Sequence, residues 1–574
     1  MRLFALALLL ASPLAAQEAA KRELQPEATV AVAAARDVQA ASFMVAAAHP
    51  MAVEAGQAVL AAGGTAADAA VAVQLMLNLV EPQSSGIGGG AFALYWDASE
   101  ARLTTFDGRE TAPAAAGPDL FLGADGEPMK FRDAVPGGRS VGVPGTLKLI
   151  ETLHARHGAR PWVELIAPVI DAAEQGFAVS PRLAGLIAQT PELALFEATR
   201  SYFLDAAGAP LAEGAVLRNP DFAATLRLIA EQGADAFYAG PIAAQIAQAV
   251  RTPTNPGLLT EADLGAYRVI ERAPVCLNYR GAEVCGMGPP SSGGLTVGQI
   301  LGLLERFDLA ALGPGAASDH LFVEASRLAF ADRALYMADA DFVDMPKGLL
   351  NRAYLAERSA LIDPAARMAT AEAGSPPWDE AQLLAPDLQP ERPGTSHFVI
   401  VDAQGDVLSM TTTIETGFGS RVMAGGFLLN NELTDFSFRP EIDGRPVANR
   451  VEPGKRPRSS MAPTILLENG APVLALGSPG GARIIGYVAR ALIALEDWGM
   501  TPAEAAALAH VSTLGGPVTL EQGTEAETRL EALAALGHEI RMGDLNSGLH
   551  IVRIAPGALV GAADPRREGV AAGQ

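Results

Sequence analysis

The residues most able to perform chemistry lie at Gly394-Thr395, at the head of an alternating β-hairpin. Residues 396–402 are predicted to form one strand, 403–406 the turn and 407–414 the return strand. If the bond between Gly394 and Thr395 breaks itself, Thr395 becomes an N-terminus that carries both a hydroxyl and a free amine. Such a residue is a nucleophile with its own general base. On these residues alone, a loop threonine at the start of a strand is the other interpretation.

A glycine pair at Gly480-Gly481 could supply a second part of such a reaction. It follows another predicted hairpin over 464–477 and precedes a predicted helix over 482–498. Glycines let the backbone approach a ligand closely, and a helix N-terminus presents free N–H groups. The turn could therefore hold the oxyanion of a tetrahedral intermediate. A purely structural tight turn is the alternative.

The elements around these residues predict antiparallel sheets covered by helices. Residues 145–370 are mostly helical by their apolar spacing, and the proline-rich range 374–394 is an irregular connector. Thr65 caps a predicted buried helix that continues to Val80, and Thr501 begins another helix in a capping box. Hairpins followed by helices favour stacked sheets with helices outside over a parallel doubly wound fold.

Composition and charge argue against some classes of function. The 574 residues carry a formal net charge of −23, and this length allows more than one ordinary domain. The charge argues against binding to nucleic acid or to anionic membrane surfaces. Residues 1–16 have a short basic start, an apolar stretch and small residues, which is typical of a signal peptide. We therefore expect an exported protein, periplasmic or extracellular, with no membrane span in its mature form.

The chain has two cysteines, Cys276 and Cys285. With Arg280-Gly281 as the turn of a tight hairpin, they face each other at a non-hydrogen-bonded pair, where side chains approach most closely. In an oxidising compartment this pattern predicts a cross-strand disulfide, and two free buried thiols are the alternative. The eight histidines form no zinc signature, so we expect no metal site and no cofactor.

Several separated segments together resemble the γ-glutamyltransferase family, the glutathione hydrolases of the N-terminal-nucleophile class. The similar segments, in chain order, are 84–90, 106–110, 289–294, 394–397, 411–415, 417–420, 428–436, 455–461, 477–481 and 563–566. They follow the order of the family and cover nearly the whole mature chain. The resemblance implies an α+β fold, the αββα N-terminal-nucleophile sandwich, in which two stacked and mainly antiparallel sheets are flanked by helices.

The resemblance also implies an inactive precursor that cuts itself before Thr395. Residues 17–394 would form a large subunit, residues 395–574 would form a small catalytic subunit, and the two would stay together as a heterodimer. Thr395 would then attack the γ-glutamyl amide of glutathione or a related compound. Water, an amino acid or a peptide would take the γ-glutamyl group from the enzyme.

Two groups of family site residues carry over to this sequence. The catalytic group would orient the Thr395 hydroxyl and stabilise the oxyanion, and it comprises Thr413, Gly480 and Gly481. The recognition group would bind the α-carboxylate and α-ammonium of the γ-glutamyl moiety, and it comprises Arg109, Glu415, Glu432, Asp435, Ser459 and Ser460. Arginine is a planar fork that suits a carboxylate, the two serines add hydroxyl donors, and the acidic residues suit the ammonium.

Two departures from the family pattern bear on specificity. Glu415 stands where many members carry asparagine, so a third acidic group joins Glu432 and Asp435. The stretch 437–458 is shorter than in members with a lid loop, so we expect no full lid and a more open pocket. One alternative is therefore an N-terminal-nucleophile amidase for another acyl group, such as a β-lactam side chain. A second alternative is an exported binding protein that has lost catalysis.

Overall fold

The computed structural model describes residues 29, 34–378, 382–387, 389 and 394–574. The predicted signal peptide, residues 1–16, and part of the connector lie outside the described residues. The strands, in chain order, are β1 Val38–Ala40, β2 Met44–Ala47, β3 Gly90–Asp97, β4 Arg102–Gly108, β5 Phe177–Ala178, β6 Val216–Leu217, β7 Ile270–Arg272, β8 Val275–Tyr279, β9 Ala282–Gly286, β10 Ser396–Val401, β11 Val407–Thr413, β12 Met423–Ala424, β13 Phe427–Leu428, β14 Glu441–Ile442, β15 Arg445–Pro446, β16 Thr464–Glu468, β17 Ala471–Gly477, β18 Val511–Ser512, β19 Val518–Glu521, β20 Ile540–Gly543, β21 His550–Ala555, β22 Ala558–Ala563 and β23 Val570–Gly573.

The α-helices, in chain order, are α1 Pro50–Ala61, α2 Ala66–Val80, α3 Phe131–Ala134, α4 Thr146–His157, α5 Trp162–Gln175, α6 Pro181–Gln189, α7 Glu197–Phe203, α8 Pro220–Gln232, α9 Asp235–Tyr238, α10 Pro241–Ala249, α11 Glu261–Ala266, α12 Gly293–Leu304, α13 Leu309–Leu312, α14 Ala316–Tyr336, α15 Arg352–Ser359, α16 Ile484–Glu496, α17 Pro502–Ala507 and α18 Leu530–Ala535. Within the described part of the chain, none of the helices combines the length and the apolar character needed to cross a bilayer.

Two seven-stranded sheets form the centre of the fold. Sheet 1 has the order β23-β2-β10-β11-β3-β4-β7, and sheet 2 has the order β1-β22-β21-β17-β16-β9-β8. Neighbouring strands are antiparallel throughout both sheets. The strand β10, which follows Thr395, lies near the middle of sheet 1 and pairs with β2 and β11.

The side chains of β10 show how the layers stack. Phe398 and Ile400 belong to an apolar cluster that includes the buried face of α1 and α2. Val399 and Val401 belong to a second cluster, which they share with strands of sheet 2 and with α12, α14 and α16. Because successive side chains of a strand point to opposite faces, helices cover one face of sheet 1 and sheet 2 covers the other. The predicted αββα sandwich is confirmed.

Both predicted hairpins, the predicted N-cap at Thr65 and the predicted capping box at Thr501 are present. Ser396 lies opposite Thr412 in the first hairpin, formed by β10 and β11, and β16 pairs with β17 in the second. Thr65 accepts a hydrogen bond from the amide of Asp68 at the start of α2. Thr501 caps α17 in the same way. The sequence predicts these features correctly because hairpin turns and helix caps depend on hydrogen bonds between residues close together in the chain.

A disulfide joins Cys276 and Cys285 across the hairpin of β8 and β9. The two residues lie directly opposite each other, and their Cα atoms are 4.1 Å apart. The turn residues Arg280 and Gly281 have φ angles of 53° and 94°, the left-handed conformation that a two-residue hairpin turn requires. This hairpin forms one edge of sheet 2, away from the residues that surround Thr395.

Candidate active site

Thr395 lies immediately before the first residue of β10 and is 3% exposed. Its Oγ1 lies 3.4 Å from Oγ1 of Thr413, the last residue of β11. Oγ1 of Thr413 also lies 3.4 Å from the carbonyl oxygen of Gly394 and accepts a hydrogen bond of 2.8 Å from the amide of Glu415. The antiparallel hairpin thus places the Thr413 hydroxyl beside both the Thr395 hydroxyl and the carbonyl of Gly394.

The backbone around Gly394 is too tight for a side chain. A Cβ atom at this position would overlap the carbonyl oxygen of Glu415. Glu415 itself has a φ of 76°, a left-handed conformation that is costly for a residue with a side chain. The turn that follows β11 therefore folds back under the Gly394–Thr395 bond, and glycine is the residue that this approach allows.

The predicted oxyanion turn follows β17 and leads through a short 3₁₀ helix, Gly481–Arg483, into α16. Gly480 and Gly481 have φ angles of 135° and 59°, so both require the conformational freedom of glycine. Gly481 and Thr395 line the same cavity, and Gly480, which precedes Gly481 in the chain, is not among the lining residues. A Cβ atom at Gly480 would lie 2.8 Å from the ring of Tyr487.

Arg109 also lines this cavity and is 1% exposed. Its guanidinium donates to the carboxylate of Glu432, to Oδ2 of Asp435 at 2.6 Å, and to the carbonyls of Pro457 at 3.1 Å and Arg458 at 2.9 Å. These four acceptors come from two segments far from Arg109 in sequence. They hold the plane of the guanidinium in one orientation.

Four buried carboxyl groups surround this one guanidinium. Burial, reinforced by the charges of Asp435 and Glu432, raises the pKa of Glu415 well above its usual value. Burial also raises the pKa of Glu432, although Arg109 opposes the shift. Burial raises the pKa of Glu110 to about 7, again with Arg109 opposing, and its Oε2 lies 3.9 Å from Arg109. The lining around Arg109 therefore has an excess of acidic groups over cationic ones.

An oxygen atom of Glu415 lacks a hydrogen-bond partner within the described residues. Oε2 of Glu415 accepts from Asn431 at 2.5 Å, and Oε1 of Glu415 is buried without a donor, while Glu432 shares a side-chain hydrogen bond with Glu110. Buried acceptors without donors are costly, and acidic groups in excess favour a cation. The arrangement is therefore suited to a ligand that brings an ammonium group into the cavity.

Ser459 and Ser460 line the cavity between Arg109 and the oxyanion turn. The hydroxyl of Ser459 accepts from the amide of Met461 at 3.1 Å, which leaves its proton available to an acceptor. Arg333 donates to the hydroxyl of Ser460 at 2.7 Å and to Ser292 at 2.8 Å. The segment 289–294 thus braces the two serines from behind.

Nearly all the residues proposed for the site meet in one small cavity of about 20 Å³. It is lined by Arg109, Gly394, Thr395, Thr413, Glu415, Glu432, Asp435, Ser459, Ser460, Met461, Gly481 and Ile484. The polar lining side chains are buried in the uncut chain. The shortened stretch 437–458 contains the small hairpin of β14 and β15, and its Phe438 is buried against the ring of Phe121.

The sequence interpretation missed several contributors to this site. Glu110, Asn431 and the carbonyl of Arg458 contact the recognition residues. Glu110 follows Arg109 directly, yet nothing in the sequence places it against a carboxylate 322 residues away. A Cβ atom at Gly89 would overlap the carbonyl oxygen of Thr413, and a Cβ atom at Gly90 would overlap the carboxyl group of Glu110. The run of glycines at 86–90 was the available signal for such close packing.

A sandwich of two antiparallel sheets between helices, with a buried threonine at the head of a central strand, defines the class of N-terminal-nucleophile hydrolases. Residues 52–574 match the family model described as gamma-glutamyltranspeptidase. The chain therefore belongs to the γ-glutamyltranspeptidase family and is an enzyme of that family.

Curated relatives extend over almost the same length. The chain is 39% identical to a glutathione hydrolase proenzyme of Bacillus subtilis strain 168, over 92% of this chain and 91% of the relative. It is 36% identical to the glutathione hydrolase proenzyme of Escherichia coli strain K12, with the same coverage. It is also 36% identical to the acylase ACY 1 proenzyme of Pseudomonas sp. strain SE83, over 92% of each chain.

Solved structures agree with this assignment. A cephalosporin acylase from Bacillus halodurans superimposes with a TM-score of 0.83 at 28% identity, covering 94% of this chain and 97% of that structure. Helicobacter pylori gamma-glutamyltranspeptidase superimposes with a TM-score of 0.55 at 37% identity, covering 57% of this chain and 93% of that chain. The fold is thus shared by proteins named for two different activities.

Proposed function

We propose that this protein is a self-cleaving proenzyme that hydrolyses the γ-glutamyl amide of glutathione and transfers the γ-glutamyl group to amino acids or peptides. The observation that carries the proposal is the cavity itself. It brings the Thr395 hydroxyl together with a buried guanidinium that is surrounded by carboxyl groups. A γ-glutamyl group presents both an α-carboxylate and an α-ammonium, and this lining complements both charges.

Self-cleavage uses the threonine hydroxyl against its own backbone. Oγ1 of Thr395 attacks the carbonyl carbon of Gly394, the C–N bond to Thr395 breaks, and the nitrogen takes a proton to become an amine. Water then hydrolyses the resulting ester and restores the hydroxyl. The contact of Thr413 with the Gly394 carbonyl oxygen supports this step, because its hydroxyl can donate to the oxygen on which charge develops. The products are residues 17–394 and 395–574, held together as a heterodimer.

Turnover begins once the Thr395 nitrogen is a free amine. An α-amine has a reference pKa of about 7.7–8.0, so near neutral pH it can accept the proton of the Thr395 hydroxyl. The hydroxyl oxygen attacks the γ-carbonyl of the substrate, and the leaving amine takes the proton. A γ-glutamyl ester on Thr395 results, which water or an acceptor amine resolves. The Gly480 and Gly481 amides stabilise the oxyanion, and Thr413 orients the nucleophile.

The α-carboxylate and the α-ammonium of the substrate bind to two different sets of residues. Arg109 receives the α-carboxylate, with hydroxyl donors from Ser459 and Ser460. Asp435, Glu432 and Glu415 receive the α-ammonium, which supplies a proton to the buried oxygen atom of Glu415 that lacks a donor among the described residues. Glu415 brings a third carboxyl group to a place where family members often carry asparagine, so a substrate with an ammonium is favoured over one without.

The second candidate function is removal of another acyl group, such as the glutaryl side chain of a β-lactam. The acylase relative at 36% identity and the superposition on cephalosporin acylase favour this alternative. A glutaryl group has the carboxylate for Arg109 but no ammonium for the acidic residues of the cavity. The excess of carboxyl groups in this chain therefore places the γ-glutamyl substrate first.

We propose further that the protein is exported and periplasmic or extracellular. The signal-like pattern of residues 1–16 supports export. The Cys276–Cys285 disulfide supports an oxidising compartment, because disulfides persist mainly outside the cytosol. Intact mass of the large subunit from secreted material would give its first residue, and retention of residues 1–16 in exported protein would contradict this assignment.

One experiment tests processing and substrate class together. Purified protein should give two chains, with Thr395 as the first residue of the smaller by N-terminal sequencing, and should release aniline faster from a γ-glutamyl anilide than from a glutaryl anilide. Thr395→Ala should remain one chain and release neither, because it lacks the attacking oxygen. Thr528→Ala, at an exposed threonine, is the matched control. Faster release from the glutaryl anilide would select the acylase alternative, and two chains from Thr395→Ala would refute the mechanism.

A further inference from the structure

The carbonyl oxygen of Thr395 accepts a hydrogen bond from a residue that is not part of the neighbouring strands. The ladder between β10 and β11 begins at Ser396, so the Thr395 carbonyl lies beyond the first paired residue. Its oxygen lies 3.4 Å from a guanidinium nitrogen of Arg567, which donates to it. Once the bond to Gly394 is broken, Thr395 loses its covalent restraint on that side. Contacts to the rest of Thr395 then decide where the hydroxyl and the amine point.

Arg567 is itself rigidly placed. It is buried, 3% exposed, and its Nε donates to Oδ1 of Asn546 at 2.7 Å and to the carbonyl of Ser547 at 2.9 Å. A terminal nitrogen also donates to the Asn546 carbonyl at 3.3 Å. A guanidinium fixed at one edge by a loop presents its remaining donors in a defined direction. Here that direction is the Thr395 carbonyl.

The same loop reaches the turn proposed to hold the oxyanion. The amide of Gly548 donates to the hydroxyl of Ser478 at 3.3 Å, and that hydroxyl donates to the carbonyl of Pro479 at 2.8 Å. A Cβ atom at Gly548 would lie 2.6 Å from the Pro479 ring and 2.9 Å from Cδ of Arg567. The loop is therefore packed between Arg567 and the residue that precedes Gly480.

A neighbouring set of contacts braces the next residue of β10. Glu568 accepts from the amide of Arg182 at 2.9 Å, and the Arg182 side chain pairs with Glu81. Glu81 in turn accepts from the hydroxyl of Ser396 at 2.9 Å. Residues 567 and 568 thus stabilise both Thr395 and Ser396, while the cavity side of Thr395 is left to the substrate.

We infer that Arg567 is a positioning residue for the reaction of Thr395, and the inference rests on the nucleophile role proposed above. It links the nucleophile's carbonyl to the loop that packs on the oxyanion turn, so the attacking oxygen and the oxyanion donors keep their spacing after self-cleavage. A misplacement of about 1 Å costs roughly 100-fold in rate. Arg567 does not line the substrate cavity, so its loss should affect the chemical step and leave ligand binding intact.

The test uses mature, fully cleaved enzyme carrying Arg567→Gln or Arg567→Lys. For Arg567→Gln, kcat/KM on a γ-glutamyl anilide should fall roughly 10- to 100-fold, by the misplacement estimate above. The inhibition constant of free glutamate, which reports the cavity alone, should stay within about twofold of wild type. Arg567→Lys keeps the charge but not the fork, so it should recover part of the rate. Arg553→Gln, on β21 and paired with Glu496, is the control and should match wild type.

Two outcomes would overturn the inference. One is an unchanged kcat/KM in mature Arg567→Gln, and the other is a parallel loss of kcat/KM and glutamate binding, which indicates a merely structural role. If Arg567→Gln stays uncut, its unfolding midpoint is compared with that of uncut Thr395→Ala. Equal midpoints support loss of nucleophile positioning, and a much lower midpoint contradicts it. An inactive wild-type enzyme would instead refute the proposed function.

Discussion

At the scale of single residues, the proposed mechanism gives the Thr413 hydroxyl a role in both self-cleavage and turnover, because the backbone places it beside Thr395 and Gly394. The hydroxyl of Thr413 contacts both Oγ1 of Thr395 and the Gly394 carbonyl, and the amide of Glu415 fixes that hydroxyl. In the proposed self-cleavage the attacked carbonyl belongs to Gly394, and in the proposed turnover it belongs to the substrate. The left-handed turn at Glu415 makes this double use possible, since it folds the chain back beneath Gly394.

Gly394→Ala should slow self-cleavage roughly 100-fold, the cost of a displacement of about 1 Å at the attacked carbon. The added Cβ overlaps the Glu415 carbonyl oxygen, so the Gly394 carbonyl must move away from Thr395. The loss of precursor is followed by denaturing gel after synthesis. Gly417→Ala, where a Cβ meets nothing within 4 Å, should process at the wild-type rate. Equal rates for the two variants would show that the close approach does not control cleavage.

At the scale of elements, the connector is fastened close to the substrate cavity before the cut. The amide of Ala385 donates to the Pro446 carbonyl at 2.9 Å. The Asp387 carboxylate accepts from Asn449 at 2.9 Å and pairs with Arg458 at 3.0 Å. Arg458 offers its own carbonyl to Arg109. The connector before the proposed cleavage site is thus joined to the backbone that orients Arg109.

Asp387→Asn should slow self-cleavage several-fold and lower the free energy of unfolding by about 1–3 kcal/mol, because a buried guanidinium loses its counter-ion. Cleavage is measured in the otherwise native chain, and stability by urea unfolding in the uncut Thr395→Ala background. Asp443→Asn, an exposed position on the hairpin of β14 and β15, tests the same chemical change without an ion pair and should behave as wild type. Normal cleavage in Asp387→Asn would mean that the anchored connector plays no part in presenting Gly394.

Elements that depend on neighbouring residues could be predicted from the sequence, and long-range contacts could not. The hairpin of β10 and β11 follows from alternation, and α17 follows from the capping box at Thr501. The proposed site residues come from the family resemblance, which supplied their identities but not their contacts. Arg109 meets Glu432 across 323 positions, and Arg567 reaches Thr395 across 172. Contacts between residues so far apart in sequence form only when the whole chain has folded, so the local sequence does not predict them.

At the scale of the whole molecule, the sandwich buries most of the histidines in neutral form. Burial is the main cause of a lowered pKa in His49, His157, His397, His510, His538 and His550. A group whose pKa is lower in the folded than in the unfolded state costs stability as pH falls below the unfolded value, because only the unfolded chain then binds the proton. Burial raises the pKa of Glu110 to about 7 and of Asp402 to about 6, and these groups shift stability in the opposite direction. A single histidine variant can isolate the contribution of one group to the pH dependence of stability.

His538, remote from the active site and 5% exposed, offers that separation. His320 shares a hydrogen bond of 2.7 Å with Nε2 of His538, while Nε2 of His320 meets the Asp363 carbonyl and must donate to it. His538 therefore donates through Nε2 to Nδ1 of His320. A further proton would go to Nδ1 of His538, which is buried without a partner among the described residues. Burial lowers the pKa of His538 to about 4.

His538→Gln should therefore reduce the sensitivity of the fold to acid. The amide of glutamine can still donate to His320, but it has no proton to take up. Between pH 8 and about 4.5, the free energy of unfolding of the unsubstituted chain should fall by roughly 2–3 kcal/mol more than that of the variant, given an unfolded pKa of about 6.5. Urea unfolding of uncut Thr395→Ala, with and without His538→Gln, measures this difference at each pH. Parallel curves would mean that His538 becomes protonated as easily in the folded chain as in the unfolded one.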